Sequence, residues 1–247
     1  MASKNSGGFF DFLKTIIYAV AIALVVRTVA FEPFNIPSKS MLPTLEVGDY
    51  LFVSKYSYGY SRHSLPFSIP LIPGRILATE PERGDVAVFK TPSDNRTDFI
   101  KRIIGLPGDK IQMKQGRLNI NGNLVPRKRI ENYTETLDHG RSRSVTRYEE
   151  TLPNGRKLPT LEVQLDQGDL DNTRIYTVPK NHYFVMGDNR DNSQDSRVIS
   201  QVGFVPRENL VGRAEILFFS TNGSSVWWNP VSWWTALRGN RIFSLIK

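Results

Sequence analysis

The sequence has no cysteine and only three histidines, His63, His139 and His182. No thiol can act as nucleophile, and the three imidazoles fall in no triad or metal-ligand spacing. A nucleophile in this chain must be a hydroxyl, and lysine is the natural substitute for histidine as its base. Long amphipathic helices are also lacking after residue 32. No zinc-finger or RNA-binding signature is present. The formal charge of +8 therefore gives no ground for nucleic acid as a partner, and an anionic membrane surface is the better-supported one.

What is present begins with an apolar N-terminal segment. Residues Thr15 to Val26 read TIIYAVAIALVV, without charge. Phe9, Phe10, Phe12 and Leu13 extend the run upstream, and Val29, Ala30 and Phe31 extend it downstream. A helix from Phe9 to Phe31 covers about 34 Å, enough to span a bilayer core. Lys14 and Arg27 lie where their heads can snorkel to the interface. The competing reading is a cleavable leader ending at Thr28-Val29-Ala30. Arg27, directly after the apolar centre, argues for a retained anchor. The short tail before it favours a cytoplasmic N-terminus.

Beyond the anchor the pattern turns to short strands broken by Gly, Pro and Asn. Asp49–Val53, Asp85–Phe89, Phe99–Ile104 and His182–Met186 read as strands. Arg117 to Val125 reads as a hairpin turning at Asn121-Gly122 or Gly122-Asn123. The class is mainly β. Ser57 to Pro81, rich in Ser, Pro and Gly, predicts an extended surface loop. Residues 112–178 are polar and basic, with Arg127-Lys128-Arg129 and Arg141-Ser142-Arg143 read as a solvated face. All four tryptophans lie between 227 and 234, followed by Arg238 and Arg241. Indoles and basic residues suit a membrane–water interface, and the same rings can equally close a β core.

Three short stretches carry the chemistry. The first is Pro37-Ser38-Lys39-Ser40-Met41-Leu42-Pro43-Thr44-Leu45, where two prolines keep the chain non-helical around Ser40. The second is Lys101-Arg102-Ile103-Ile104-Gly105-Leu106-Pro107-Gly108-Asp109. On a strand, Phe99, Lys101 and Ile103 share a face. Apolar surroundings disfavour an ammonium, which lets a lysine accept a proton. Arg102 cannot do so, because guanidinium stays protonated. The third is Gly187-Asp188-Asn189-Arg190-Asp191-Asn192-Ser193-Gln194-Asp195-Ser196-Arg197, a loop of short polar side chains without an EF-hand pattern. In it Asp188 reads as a turn-former.

These stretches, with Arg83-Gly84-Asp85-Val86-Ala87-Val88-Phe89, occur in an order that resembles the bacterial type I signal peptidases, membrane-bound serine proteases. The resemblance runs from about Phe31 to Gly212. It implies a coiled β-sheet catalytic core with an inserted β subdomain and one N-terminal transmembrane helix. The expected divisions are a cytoplasmic tail at 1–8, an anchor at 9–31, the core at 32–111 and 179–247, and the insert at 112–178. It further implies Ser40 as nucleophile, Lys101 as general base, and Ser38 with the Ser40 amide as oxyanion donors. Ser193 would orient the lysine, with Asp195 and Arg197 as a supporting ion pair. Phe34, Ile36, Pro37, Asp98, Phe99 and Ile100 would wall the substrate cleft. No cofactor or metal is implied. The implied partners are signal peptides of preproteins, the phospholipid membrane and, transiently, the export translocase, but no nucleic acid. The implied place is the bacterial cytoplasmic membrane, single-pass, with the catalytic part on its extracytoplasmic face.

Two alternatives stand beside this reading. One is a specialised Ser–Lys peptidase of conjugation or secretion. The other is a non-catalytic, membrane-tethered β protein that binds peptides or envelope polymers. Retention of the serine, lysine and support stretches opposes the second.

Overall fold

An uninterrupted helix, Gly8–Val29 (α1), opens the computed structural model, which describes residues 8–137, 141–224 and 228–246. None of its residues is buried, and an 18-residue stretch has a mean hydropathy of 2.1. At the usual rise it is about 33 Å long, long and apolar enough to cross a bilayer core. The helix ends before the expected Phe31 because that residue already pairs with Ser54 in a strand. Arg27, placed by sequence at an interface, bonds Glu32 at 2.5 Å, and Lys55 takes the other oxygen of the same carboxylate at 2.9 Å. The expected tail, apart from Gly8, lies outside the described residues, as do His139 and Trp227.

The strands follow in chain order. β1 (Phe31–Asn35), β2 (Asp49–Ser54), β3 (Tyr60–Ser61), β4 (Arg75–Ile76), β5 (Val86–Lys90) and β6 (Asp98–Gly105) come first. β7 (Lys110–Lys114), β8 (Arg117–Ile120), β9 (Asn123–Leu124), β10 (Arg127–Arg129) and β11 (Tyr133–Thr136) come next. β12 (Ser142–Thr151), β13 (Lys157–Glu162), β14 (Tyr176–Thr177), β15 (His182–Met186), β16 (Val205–Pro206) and β17 (Leu210–Ser220) complete the set. The protein is mainly β. Seven strands form one antiparallel sheet in the order β1-β2-β17-β5-β6-β15-β16. The strands between residues 110 and 177 form two further sheets, β14-β7-β8-β9 and β10-β12-β11 with β13 on β12.

The central strands are buried on both faces, so they read as apolar runs rather than alternating ones. On β5, Val86 and Val88 pack with Met41, Leu45 and Val53, while Ala87 and Phe89 pack with Tyr58, Val185 and Leu210. On β6, Ile103 joins the second of these clusters and Ile104 joins a third with Phe184 and Met186. That third cluster takes in Ile111, Met113, Leu118 and Ile120, so the smaller sheet is fixed to the larger by shared core. The β8–β9 hairpin turns at Asn121 and Gly122, with φ of 55° and 83°. Two positive φ values in succession define a type I′ turn, which asparagine and glycine tolerate.

Residues Ser57 to Pro81 depart from the expected loop. They contain β3, β4 and two 3₁₀ turns, Arg62–Ser64 and Pro66–Ser68. The C-terminal stretch forms a short helix, Pro230–Ala236 (α2), on which Trp234 is 79% exposed; Trp228 just before it is 70% exposed. Those two rings close no core. Arg238 and Arg241 are committed within the fold, to Glu46 and Asp49. That pairing docks the tail on the loop that follows Thr44-Leu45.

Candidate active site

Ser40 and Lys101 meet although 61 positions separate them. Ser40 lies in a run of turns between β1 and β2, and β6 brings Lys101 beneath it. The ammonium Nζ donates to Ser40 Oγ at 2.8 Å and to the Ile100 carbonyl at 2.9 Å. Ser40 is 7% exposed and Lys101 4%. The lysine head lies 5.2 Å from the centre of the Phe99 ring, as same-face spacing on a strand predicts. Burial lowers the pKa of Lys101 to about 8, and the charges of Asp195 and Asp188 offset part of that effect. An amine so placed keeps a minor but usable neutral fraction near physiological pH and can take the serine's proton.

Ser38 lies beside Ser40, its hydroxyl 3.3 Å from Ser40 Oγ. Among the described residues no acceptor occupies the Ser40 amide, which leaves it available as an oxyanion donor. The backbone around Ser40 is clamped by Asn189. Its amide N–H donates to the Ser40 carbonyl at 3.1 Å, and its side chain donates to the Lys39 carbonyl at 3.1 Å. Gly187 must be glycine for this approach. A Cβ there would lie 2.3 Å from Ser193 Oγ and 2.5 Å from the Ser40 carbonyl oxygen.

Asp195 and Arg197 form a fully buried pair, Nε to Oδ1 at 2.9 Å. Burial alone would raise the Asp195 carboxyl. The Arg197 charge and hydrogen bonds, with the Gly187 amide, outweigh it and hold the carboxyl below its ordinary value. Ser193 lines the same cleft as the dyad; among the described residues it makes no hydrogen bond to Lys101, and its hydroxyl helps hold the Asp195 carboxyl low. Lys101 Nζ is held by Ser40 Oγ and the Ile100 carbonyl.

Sequence reading missed the largest buried charge at the site. Arg102, on the opposite face of β6 from Lys101, is 0% exposed. It forks onto Asp188 through Nε–Oδ1 at 2.8 Å and Nη2–Oδ2 at 2.6 Å. Thr44 donates to the same carboxylate at 2.5 Å. Asp188 is thus no mere turn-former. It bolts the Ser40–Thr44 loop, β6 and the Gly187–Arg197 loop together. The only sequence signal was an arginine alternating with a lysine on an apolar strand, which forces one cation inward.

A cleft of about 630 Å³ opens over the dyad. Pro37, Asp98, Phe99 and Ile100 line it, as do Leu170 and Gln201. Ile36 instead belongs to the apolar core, and Phe34 packs against that core. Residues Asp98 to Lys101 pair with β5 on one side, and β15 takes up the other edge only from Arg102. The first half of β6 therefore offers a free edge to the cleft.

Comparison with known proteins identifies the family. Residues 9–219 match the family model described as signal peptidase, peptidase S26. A signal peptidase I of Rickettsia canadensis is 42% identical over 93% of this chain and 91% of its own length. That of Rickettsia typhi is 43% identical over 86% of this chain and 80% of its own. A crystal structure of a signal peptidase I from Enterococcus faecalis aligns with 55% of this chain and 97% of its own, at 25% identity and a TM-score of 0.32. A family match over most of the chain, two full-length relatives and the four ordered stretches converge: the protein belongs to the signal peptidase family, peptidase S26.

Proposed function

We propose that this chain is a membrane-anchored endopeptidase that removes signal peptides from exported preproteins, with Ser40 as nucleophile and Lys101 as general base. The observation that carries the reading is the 2.8 Å contact between Lys101 Nζ and Ser40 Oγ in a water-poor site at the floor of a cleft. With the lysine neutral, that hydrogen bond reverses and the hydroxyl donates. Ser40 Oγ then attacks the scissile carbonyl while its proton passes to Nζ. The tetrahedral oxyanion takes hydrogen bonds from the Ser38 hydroxyl and the Ser40 amide. Lys101, now an ammonium, returns the proton to the leaving amine. It then accepts one from the water that frees the acyl-enzyme.

The free edge of Asp98–Lys101 supports binding of an extended peptide by strand addition, with alternate side chains entering the cleft. Shallow walls at Pro37, Phe99 and Ile100 favour small residues, of the Ala-x-Ala type. Asp195 and Arg197 hold the support loop. In this reading α1 is the single membrane anchor, residues 112–178 are an inserted subdomain, and the catalytic part works outside the cytoplasmic membrane on preproteins leaving the translocase. The test is cleavage of a purified preprotein carrying an Ala-x-Ala site. Wild type should cut there, and folded Ser40→Ala and Lys101→Ala should not. Activity surviving Lys101→Ala would sink the dyad.

A further inference from the structure

Three carboxylates from distant parts of the chain converge beside the cleft. Glu162 ends β13, Asp171 lies in the loop after it, and Asp191 sits in the 3₁₀ turn Arg190–Asn192. Donor oxygens of all three lie within 4.8 Å of one another. Glu162 is 1% exposed and neither of its carboxylate oxygens has a hydrogen-bond partner. Asp171 is 0% exposed, and its Oδ1 is likewise buried without a partner. The other oxygens are used to fix the cluster. Asp171 Oδ2 accepts from the Gly168 amide at 2.6 Å, and Asp191 Oδ2 accepts from the Val163 and Gln164 amides at 2.6 and 2.7 Å.

Nearby arginines offset this charge only in part, Arg190 that of Glu162 and Arg197 that of Asp171, because their hydrogen bonds go elsewhere. Arg190 forks onto Glu150 at 2.9 and 2.6 Å, Arg197 is bound to Asp195, and Arg127 forks onto Asp166 at 2.9 and 2.8 Å. Arg127 comes no nearer to Glu162 than 4.0 Å. Buried carboxylate oxygens without partners are costly, so something must neutralise them. All the donors are oxygen, which suits a hard cation and neither zinc nor copper. Three buried carboxylates on one ion suit calcium, which takes many protein oxygens, better than magnesium, which keeps most of its water.

We infer that Glu162, Asp171 and Asp191 form a calcium-binding site at the rim of the cleft. Asp191 and Leu170 line that cleft together with Ser40, Lys101 and Ser193. The ion therefore ties the loop after β13 to the turn that leads into Ser193 and Asp195. It orders a cleft wall and takes no part in bond breaking. The site is independent of the Ser40–Lys101 reading, because ion binding is read without any cleavage.

The rival occupant is a proton. Burial and the Asp191 charge push the Glu162 carboxyl up to about 8, and protons and calcium respond differently to added metal. The experiment is equilibrium dialysis of the chelator-stripped full chain in detergent against CaCl2, with thermal melts alongside. Wild type should bind one calcium per chain with a Kd of ~10⁻⁴ to 10⁻³ M. At the tighter end, 10 mM CaCl2 should raise Tm by roughly 5–10 °C, and MgCl2 should raise it less. Glu162→Gln and Asp171→Asn should each weaken binding at least ~10-fold. The proposal is overturned if wild type binds no stoichiometric calcium and shows no calcium-dependent Tm. It is equally overturned if folded Glu162→Gln keeps wild-type affinity, or if magnesium matches calcium. Because the first of these outcomes needs only wild type, a variant that fails to fold leaves the test intact.

Discussion

The depressed pKa of Lys101 should govern both the rate and the stability of this protein, in opposite senses. Burial brings the amine from 10.5 to about 8, a cost of roughly 3–3.5 kcal/mol at ~1.4 kcal/mol per pH unit. Only the neutral amine can accept the proton of Ser40. The kcat/KM should therefore rise with pH along a limb of unit slope, bend near pH 8 and then level. At pH 7 about one molecule in ten carries the neutral base, and at pH 6 about one in a hundred. A peptide carrying an Ala-x-Ala site, assayed in detergent from pH 5.5 to 9.5, reads this directly. The shift that helps the rate costs stability. The unfolded chain holds the Lys101 proton up to 10.5 and the folded chain only to about 8. The unfolded state thus binds more protons between those values. The penalty on folding is complete below pH 8 and fades as pH approaches 10.5. Lys101→Met should accordingly be more stable than wild type at pH 7, by up to roughly 3–3.5 kcal/mol. That margin shrinks by whatever the lost hydrogen bonds to Ser40 and Ile100 contribute. Urea melts of both proteins at pH 7 and near pH 10 measure it. A rate profile with its midpoint near 10, or a Lys101→Met protein less stable than wild type at pH 7, would refute the argument that the site desolvates its base.

Other consequences follow from single contacts. Asp188→Ala strips the fork from fully buried Arg102, and should destabilise the protein by about 3–5 kcal/mol in urea melts. Equal stability of variant and wild type would mean the pair is solvated. Ser38→Ala removes one oxyanion donor, so kcat should fall about 10²- to 10³-fold with KM little changed. A change confined to KM would place Ser38 in ground-state binding instead. In Gly187→Ala the new methyl meets the Ser40 carbonyl at 2.5 Å, and displacement of the nucleophile should lower kcat about 10²-fold. Wild-type kcat in that variant would show that the loop yields without moving Ser40.

How far the sequence was legible depends on the range of the interaction. The Asn121-Gly122 turn was readable because two consecutive positive φ values select those residues locally. Strand β15 was readable to its ends for a similar reason, an apolar run bounded by turn formers. The burial of Lys101 was readable from period-two spacing with Phe99 and Ile103. Asp188 was not. Its partner Arg102 lies 86 positions away, and a short acid in a Gly-Asp-Asn run looks like turn chemistry until the fold supplies the cation. Arg238 and Arg241 misled for the converse reason. Basic residues after tryptophans suggest lipid headgroups, yet Glu46 and Asp49 reach them first.

The same distinction orders the candidate site itself. Apolar periodicity places β6 in the middle of a doubly covered sheet, and alternation then obliges it to bury one cation on each face. One of them, Arg102, is given a forked carboxylate and a hydroxyl, which keeps its charge and fixes three segments in place. The other, Lys101, is given a serine hydroxyl and a backbone carbonyl but no contacting carboxylate, so burial lowers its proton affinity. Two adjacent basic residues on one strand thereby acquire opposite duties. Structural rigidity comes from the pair that is satisfied, and in the proposed mechanism reactivity comes from the one that is left short. Exchanging the order to Lys101→Arg with Arg102→Lys should lose both. A guanidinium cannot become a base, and an ammonium cannot fork onto Asp188. A folded, active double variant would show that position on the strand, and not the chemistry of each cation, decides the division.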